Sequence, residues 1–248
     1  MDILSRSYEN WRSALVKSKP HIKVIGFDAD DTLWLNEVHY RNTEMQFVKL
    51  MEPWLTEREA RKELFRFEME TLSLYGYGAK GFTLSMISAA ISISNGQAGT
   101  DVISEIIDLG KSLINAPLEL LDNVAEVLAK LHLDYKLIVA TKGDLLDQER
   151  KLQNSNLERY FHHVEIMSDK NPDSYRKLVR HLDINPEEFL MIGNSLKSDV
   201  IPVLEIGSEA IHIPYHTTWE HEHVPDSVNI QPYMTVDSFH DLLEVFYE

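Results

Sequence analysis

The sequence predicts an α/β fold, a doubly wound parallel sheet with a small helical domain inserted into it. Three observations predict it. Five short apolar runs have strand length and are rich in β-branched residues. Helical patterns lie between the later runs, and strand alternating with helix implies parallel pairing. The interval between the first two runs, about Asp28 to Asp134, is far too long for one crossover.

The elements follow in chain order. Residues 1–18 read as a polar helix, with Leu4, Tyr8, Trp11 and Leu15 at helical spacing. Ile22 to Phe27 is the first strand. The long interval then reads mostly as helix. Ala60, Leu64, Phe67, Thr71 and Leu74 make one stripe, and Leu84, Ile87 and Ile91 a second. Ile103, Ile106, Gly110 and Leu113 make a third, with Thr100 as its N-cap. Tyr75-Gly76-Tyr77-Gly78 and Asn95-Gly96 separate the stripes as loops. These residues define a helical cap over 36–115, set into a core made of 1–35 and 116–248. An insert after the first strand is expected to hang over the carboxyl edge of the sheet, where ligands of parallel sheets bind. Within the core, Asn123 to Leu133 is helical and Tyr135 to Ala140 is the second strand. Val164 to Met167 is the third. Ser174 to Leu182 is a helix preceded by Pro172, a residue suited to a first turn. Glu188 to Gly193 is the fourth strand, Val200 to Ile206 a helix, and Glu209 to Pro214 the fifth strand.

Composition limits the function. The chain has 248 residues, 24 Lys+Arg against 40 Asp+Glu, a formal net charge of −16, and no cysteine. A chain this long buries a sizeable core without staples. The missing cysteine removes disulfide frameworks, iron–sulfur clusters and thiol nucleophiles, and fits a reducing, cytoplasmic compartment. The negative charge disfavours nucleic-acid backbones and anionic membrane surfaces as partners. No stretch approaches the ~18 apolar residues of a membrane span, and Met1 to Pro20 has no apolar segment of a secretory signal. The expected partner is a small soluble molecule.

Chemistry gathers at Phe27-Asp28-Ala29-Asp30-Asp31-Thr32-Leu33. Three carboxylates in four positions repel one another. At the open end of a buried strand, such a cluster suggests a metal ion or an arriving positive group. Positions 28 and 30 of an extended chain face the same way, so two carboxylates can serve one centre.

Asp28-x-Asp30-x-Thr32 after an apolar strand resembles the first motif of the haloacid dehalogenase superfamily of hydrolases. Three further motifs of that family follow in order. Ile138-Val139-Ala140-Thr141 matches the strand ending in Thr or Ser. Lys170-Asn171-Pro172-Asp173-Ser174-Tyr175 looks like the lysine ahead of a helix. Gly193-Asn194-Ser195-Leu196-Lys197-Ser198-Asp199 has the spacing of Gly-Asp-x-x-x-x-Asp, with Asn194 where the family usually has its first acid. The resemblance covers about residues 20–215.

The resemblance implies a magnesium-dependent phosphatase acting on a small phosphorylated metabolite. Asp28 would be the nucleophile that forms an aspartyl phosphate, and Asp30 the general acid and then base. Thr141 and Lys170 would bind the phosphoryl oxygens, with Lys142 either sharing that work or standing as a solvated loop lysine. The magnesium ligands would be Asp28, the Asp30 carbonyl and the fourth motif, through Asn194, Asp199 or both. Asp30 separates activities within the family, because a halide leaves without protonation whereas an alkoxide benefits from an acid. The alternatives are a phosphomutase or dehalogenase of the same fold, or a non-catalytic phosphate-binding member, the last motivated by Asn194. A receiver-type switch domain is disfavoured by the long helical insert. Asp31 reads as a loop acid. Glu37, His39 and Arg41 face either the cavity or solvent on the first cap helix. His212, His216, His221 and His223 match no metal spacing and read as a loop near the active-site edge.

Overall fold

β1 (Val24–Phe27) lies at the centre of the sheet, buried on both faces. The structure is a computed structural model that describes residues 21–217, 219–225, 228, 230 and 232–247. The polar helix expected over residues 1–18 lies outside the described residues. β2 (Lys136–Lys142), β3 (His163–Met167), β4 (Phe189–Gly193), β5 (Glu209–His212) and β6 (Met234–Thr235) complete a six-stranded sheet in the order β3-β2-β1-β4-β5-β6. β1 pairs in parallel with β2 (Phe27 opposite Val139) and with β4 (Phe27 opposite Ile192). β5 and β6 continue in parallel. The sheet reverses direction of growth at β1, and the register brings the ends of β2, β1 and β4 to one edge. This is the edge at which open parallel sheets bind ligands.

The helices of this unit are α5 (Val124–Leu131), α7 (Pro172–His181), α8 (Ile201–Leu204) and α9 (Leu242–Tyr247), numbered in chain order with those below. α7 starts at Pro172, two residues before the sequence-based expectation, because the Asn171 side chain caps it by accepting from the Ser174 N–H at 3.0 Å. The expected helix over Val200–Ile206 is a π-turn, Leu196–Val200, running into α8. Pro202 has no N–H to offer the Ser198 carbonyl four residues earlier. The buried Tyr175 hydroxyl donates to that carbonyl instead, at 3.0 Å. The core beneath this side of the sheet includes Val24, Ile138, Leu178, Phe189, Met191 and Val203.

The chain divides into two compact units. The first is 1–35, 119–141 and 155–248, and the second is 36–118 with 142–154. The second unit holds α1 (Glu37–Met51), α2 (Glu57–Tyr75), α3 (Ala79–Ile93), α4 (Thr100–Ile114) and α6 (Leu145–Ser155). Thr56 and Glu59 form a reciprocal capping box at the start of α2. Thr100 is the first residue of α4 rather than its cap; Gly99 holds the extended capping position. α3 buries only part of the stripe expected of it, with Ile87 packed against this unit's core. Leu84 and Ile91 are exposed, while Ala79, Gly81, Ser85, Met86, Ala89 and Ala90 are buried. Small side chains let the helices approach closely, and at Gly110 of α4 a Cβ would lie 2.1 Å from Thr83 Oγ1. Phe47, Met51, Leu64, Met86 and Ile106 fill this unit's own core. Lys151 bonds Asn36 Oδ1 at 2.8 Å, and Lys80 pairs with Asp144 at 2.8 Å. No helix among the described residues is long and apolar enough to cross a membrane.

Candidate active site

The site is built at the carboxyl ends of neighbouring strands. Asp28 follows β1 directly, and its N–H donates to the Ile192 carbonyl of β4 at 2.9 Å. The chain then turns sharply. Leu33 N–H returns to the Ala29 carbonyl at 2.8 Å, and Asp31, with φ 60°, donates its N–H to the Trp34 carbonyl. Aspartate tolerates this left-handed conformation better than most side chains, and Asp31 sits in the turn as the loop acid the sequence suggested.

Lys170 joins two of the predicted carboxylates. Its ammonium lies 2.5 Å from Asp28 Oδ1 and 2.6 Å from Asp199 Oδ1, and all three side chains are buried. The other Asp28 oxygen, Oδ2, accepts from the Thr32 hydroxyl at 3.1 Å. Thr32 also reaches the fourth motif, donating towards Asn194 Oδ1 at 3.3 Å and accepting from the Asn194 N–H at 3.2 Å. Asp30 Oδ1 accepts from the Trp34 indole N–H at 2.7 Å. Asp199 Oδ2 accepts from the Ser195 N–H at 3.0 Å. His212 Nε2 lies 3.0 Å from the Asn194 carbonyl; a carbonyl only accepts, so this nitrogen carries the proton.

Electrostatics at this edge are strained towards negative charge. Burial raises the Asp28 carboxyl to about 7; Lys170 opposes that shift, and Asp199 and Asp30 add to it. Lys170 is itself desolvated, but the Asp199 and Asp28 carboxylates outweigh this and hold its pKa above the ordinary value. Burial lowers His212, keeping its imidazole neutral.

The donor set fits a hard divalent cation. Asp28 Oδ2 and Asn194 Oδ1 converge on one hydroxyl, both are oxygen ligands, and the single Lys170 ammonium faces the carboxylates of both Asp28 and Asp199. Among the described residues no cluster of three His, Asp or Glu side chains is placed to hold a metal. The set here combines a carboxylate with an amide oxygen. Both oxygens of Asp199 are already committed, to Lys170 and to the Ser195 N–H.

Of the residues singled out in the sequence, Asp28, Lys170 and Asp199 come into direct contact, and Asn194 joins them through Thr32. Thr141 is buried at the end of β2, the neighbour of β1. Lys142 belongs to the second unit, where its ammonium stands 4.3 Å from the centre of the Tyr77 ring. Sequence reasoning gave no role to Thr32, Trp34 or Ser195. Thr32 stood within the recognised motif. Trp34 carried a weaker signal, a polar-tipped aromatic four residues after Asp30.

Comparison with known proteins matches this arrangement. Residues 22–207 match the model of the haloacid dehalogenase-like hydrolases. A crystal structure of a haloacid dehalogenase-like family hydrolase from Xanthomonas campestris is 39% identical, covers 83% of this chain and 87% of its own, and superposes with a TM-score of 0.76. The glyceraldehyde 3-phosphate phosphatase of Pyrococcus abyssi is 28% identical over 36% of this chain, which spans only 40% of that protein's length. The N-acylneuraminate-9-phosphatase of Mus musculus is 23% identical over 89% of this chain and 92% of its own. With four motifs in order on the expected fold, the chain belongs to the haloacid dehalogenase-like hydrolase family.

Proposed function

We propose that the protein is a magnesium-dependent phosphatase that hydrolyses a small phosphomonoester through an aspartyl phosphate. The observation that carries this reading is the placement of Asp30. A second carboxylate stands two residues after the nucleophile position and is fixed by the Trp34 indole at 2.7 Å. A leaving alkoxide needs such an acid, whereas a leaving halide does not. The phosphatase names of the Pyrococcus and mouse relatives support the same choice.

In this mechanism an Asp28 carboxylate oxygen forms a bond to phosphorus as the bond from phosphorus to the leaving alkoxide breaks. Asp30 donates a proton to that alkoxide. Asp30 then takes a proton from water, whose oxygen attacks the aspartyl phosphate, releasing inorganic phosphate and restoring the Asp28 carboxylate. Lys170 supplies a fixed positive charge to nucleophile and phosphoryl group, and Thr141 offers its hydroxyl and N–H to a phosphoryl oxygen. Lys142 is a further phosphate contact only if it leaves Tyr77. Asp28, the Asp30 carbonyl and Asn194 would hold magnesium, with Asp199 acting through Lys170 and Ser195. Magnesium, when bound, supplies the charge that offsets repulsion between Asp28 and its anionic substrate.

The helical unit begins directly after the motif bearing Asp28 and Asp30, and we read residues 36–115 as the cap that selects the substrate. The cysteine-free composition suits work in the cytoplasm on a soluble phosphorylated metabolite. The test is hydrolysis of p-nitrophenyl phosphate and a phosphometabolite panel, with and without magnesium. Wild type should turn over only with the metal, and Asp28→Asn should lose at least three orders of magnitude. Activity surviving that substitution would overturn the mechanism.

A further inference from the structure

The loop after β5 reaches back to the fourth motif, and one acid in it takes hold of that motif at two points. Glu222 closes a short 3-10 turn, Glu220–Glu222, with its N–H on the Trp219 carbonyl at 2.9 Å. Its Oε2 accepts from the hydroxyls of both Ser195 and Ser198, the latter at 2.7 Å. Both serines are buried. The Ser195 hydroxyl also accepts from the Ser198 N–H at 3.1 Å, so this side chain is fixed by its donor and its acceptor roles together. A second strut lies alongside, with the Lys197 ammonium donating to the His221 carbonyl at 2.8 Å.

The serines bracket the residues that matter to the site. Asn194 immediately precedes Ser195. The Ser195 N–H holds Asp199 Oδ2, Asp199 Oδ1 holds Lys170, and Lys170 holds Asp28. The segment between them is a π-turn, a geometry poorly stabilised on its own and common where function requires it. A carboxylate accepting two hydroxyls gives strong, oriented bonds, here in a partly buried setting. An ordinary surface loop has no need of them.

We propose that Glu222 is a positioning residue of the active site: by gripping Ser195 and Ser198 it fixes the π-turn that presents Asn194 and Asp199. The loop after β5 therefore contributes to the site through Glu222, alongside the bond that His212, at the end of β5, makes to the Asn194 carbonyl. This rests on the phosphatase reading for its kinetic consequence but not for its structural one.

The experiment compares wild type, Glu222→Ala, Glu222→Gln and Ser195→Ala/Ser198→Ala, alone and combined with Glu222→Ala. Hydrogen exchange of the Ser195, Ser198 and Asp199 amides in metal-free protein reads the turn directly. Calorimetry reads magnesium affinity, and the kcat and KM of the best phosphomonoester read the reaction. Glu222→Ala should speed exchange at those three amides, weaken magnesium about tenfold, and lower kcat more than it raises KM. Glu222→Gln, which keeps an acceptor and the volume, should recover most of each. Adding Glu222→Ala to the double serine variant should change nothing further, since the interaction is already gone. Unchanged exchange and magnesium affinity in folded Glu222→Ala would overturn the proposal, as would additive effects in the combined variant. Should wild type hydrolyse no phosphomonoester, the phosphatase reading falls, while exchange and calorimetry still decide the role of Glu222.

Discussion

Gly193 makes room for Asp199: a Cβ at position 193 would stand 2.3 Å from Asp199 Oδ2 and 2.4 Å from its Cγ. The last residue of β4 is thus a glycine because a buried carboxylate occupies the space its side chain would take. That carboxylate must stay where it is, since it anchors Lys170 at 2.6 Å.

Gly193→Ala should therefore act through its neighbour. Asp199 is pushed off Lys170 or the strand end shifts, at a stability loss of about 1–3 kcal/mol. Turnover should fall by tenfold or more, because Lys170 then no longer stands in one place. Urea unfolding and steady-state kinetics check both effects; wild-type values in both would show that the site absorbs a methyl group.

Lys170→Met removes the ammonium while keeping an unbranched chain. Two buried carboxylates, Asp28 and Asp199, then face each other without a cation. Removing one partner of a buried ionic set costs about 3–5 kcal/mol. The loss should be largest above neutral pH and shrink in acid, where protonation neutralises the pair. A urea midpoint measured at pH 8 and pH 5 tests this, and an equal loss at both would refute it.

The metal-free protein should lose stability as pH rises. The Asp28 carboxyl moves from 3.8 to about 7 on folding. The folded state therefore binds this proton more tightly than the unfolded chain does. Its stabilising contribution is complete below about pH 3.8 and disappears as pH climbs through about 7. Asp28→Asn should flatten that stretch of the profile and raise the melting temperature above pH 7, even as it abolishes turnover. Magnesium should restore the stability of wild type there, by about 2.7 kcal/mol at a hundredfold excess over its Kd. Thermal unfolding of both proteins at pH 5, 7 and 8.5, with and without the metal, measures each part.

Legibility in the sequence followed how each element earns its place. The central strands β1, β2 and β4 were readable because burial on both faces demands continuous apolar runs, and the half-buried edge strand β3 still carried Val164, Ile166 and Met167. β6, only Met234–Thr235, contains too little chain to show a pattern. α6 was missed because it opens on two exposed leucines, Leu145 and Leu146, and continues in polar residues. The α3 stripe was readable only in part: Ile87 packs against the core while Leu84 and Ile91 are exposed, because alongside Met86 the helix packs through alanine, glycine and serine. Periodicity of large residues cannot report close approach of backbones. In the site, the carboxylate cluster at Asp28 was readable from the residues themselves, and Lys170 and Asp199 through the resemblance of their motifs to the family's. Thr32 and Trp34 act by hydrogen bonds whose partners only the folded chain defines: Asp28 and the distant Asn194 for Thr32, Asp30 for Trp34. Glu222 bears on residues 24 and 27 positions away, and nothing in its local sequence announces that.

The substitution that separates the two fourth-motif residues is Asn194→Asp. Asn194 Oδ1 shares the Thr32 hydroxyl with Asp28 Oδ2, whereas Asp199 is occupied by Lys170 and Ser195. If the cation sits between the first pair, a carboxylate at 194 adds a charged hard ligand, and affinity should rise roughly tenfold. The same change adds another acid beside Asp28, so the metal-free protein should become less stable above neutral pH. The two effects have opposite signs and one cause, which makes the pair diagnostic. Calorimetry with magnesium and thermal unfolding without it provide the readouts. A variant that binds magnesium like wild type would place Asn194 off the cation and return the ligand role to Asp199. Asp199→Asn should then show the larger loss of affinity, and on the arrangement described here it should instead act mainly by loosening Lys170.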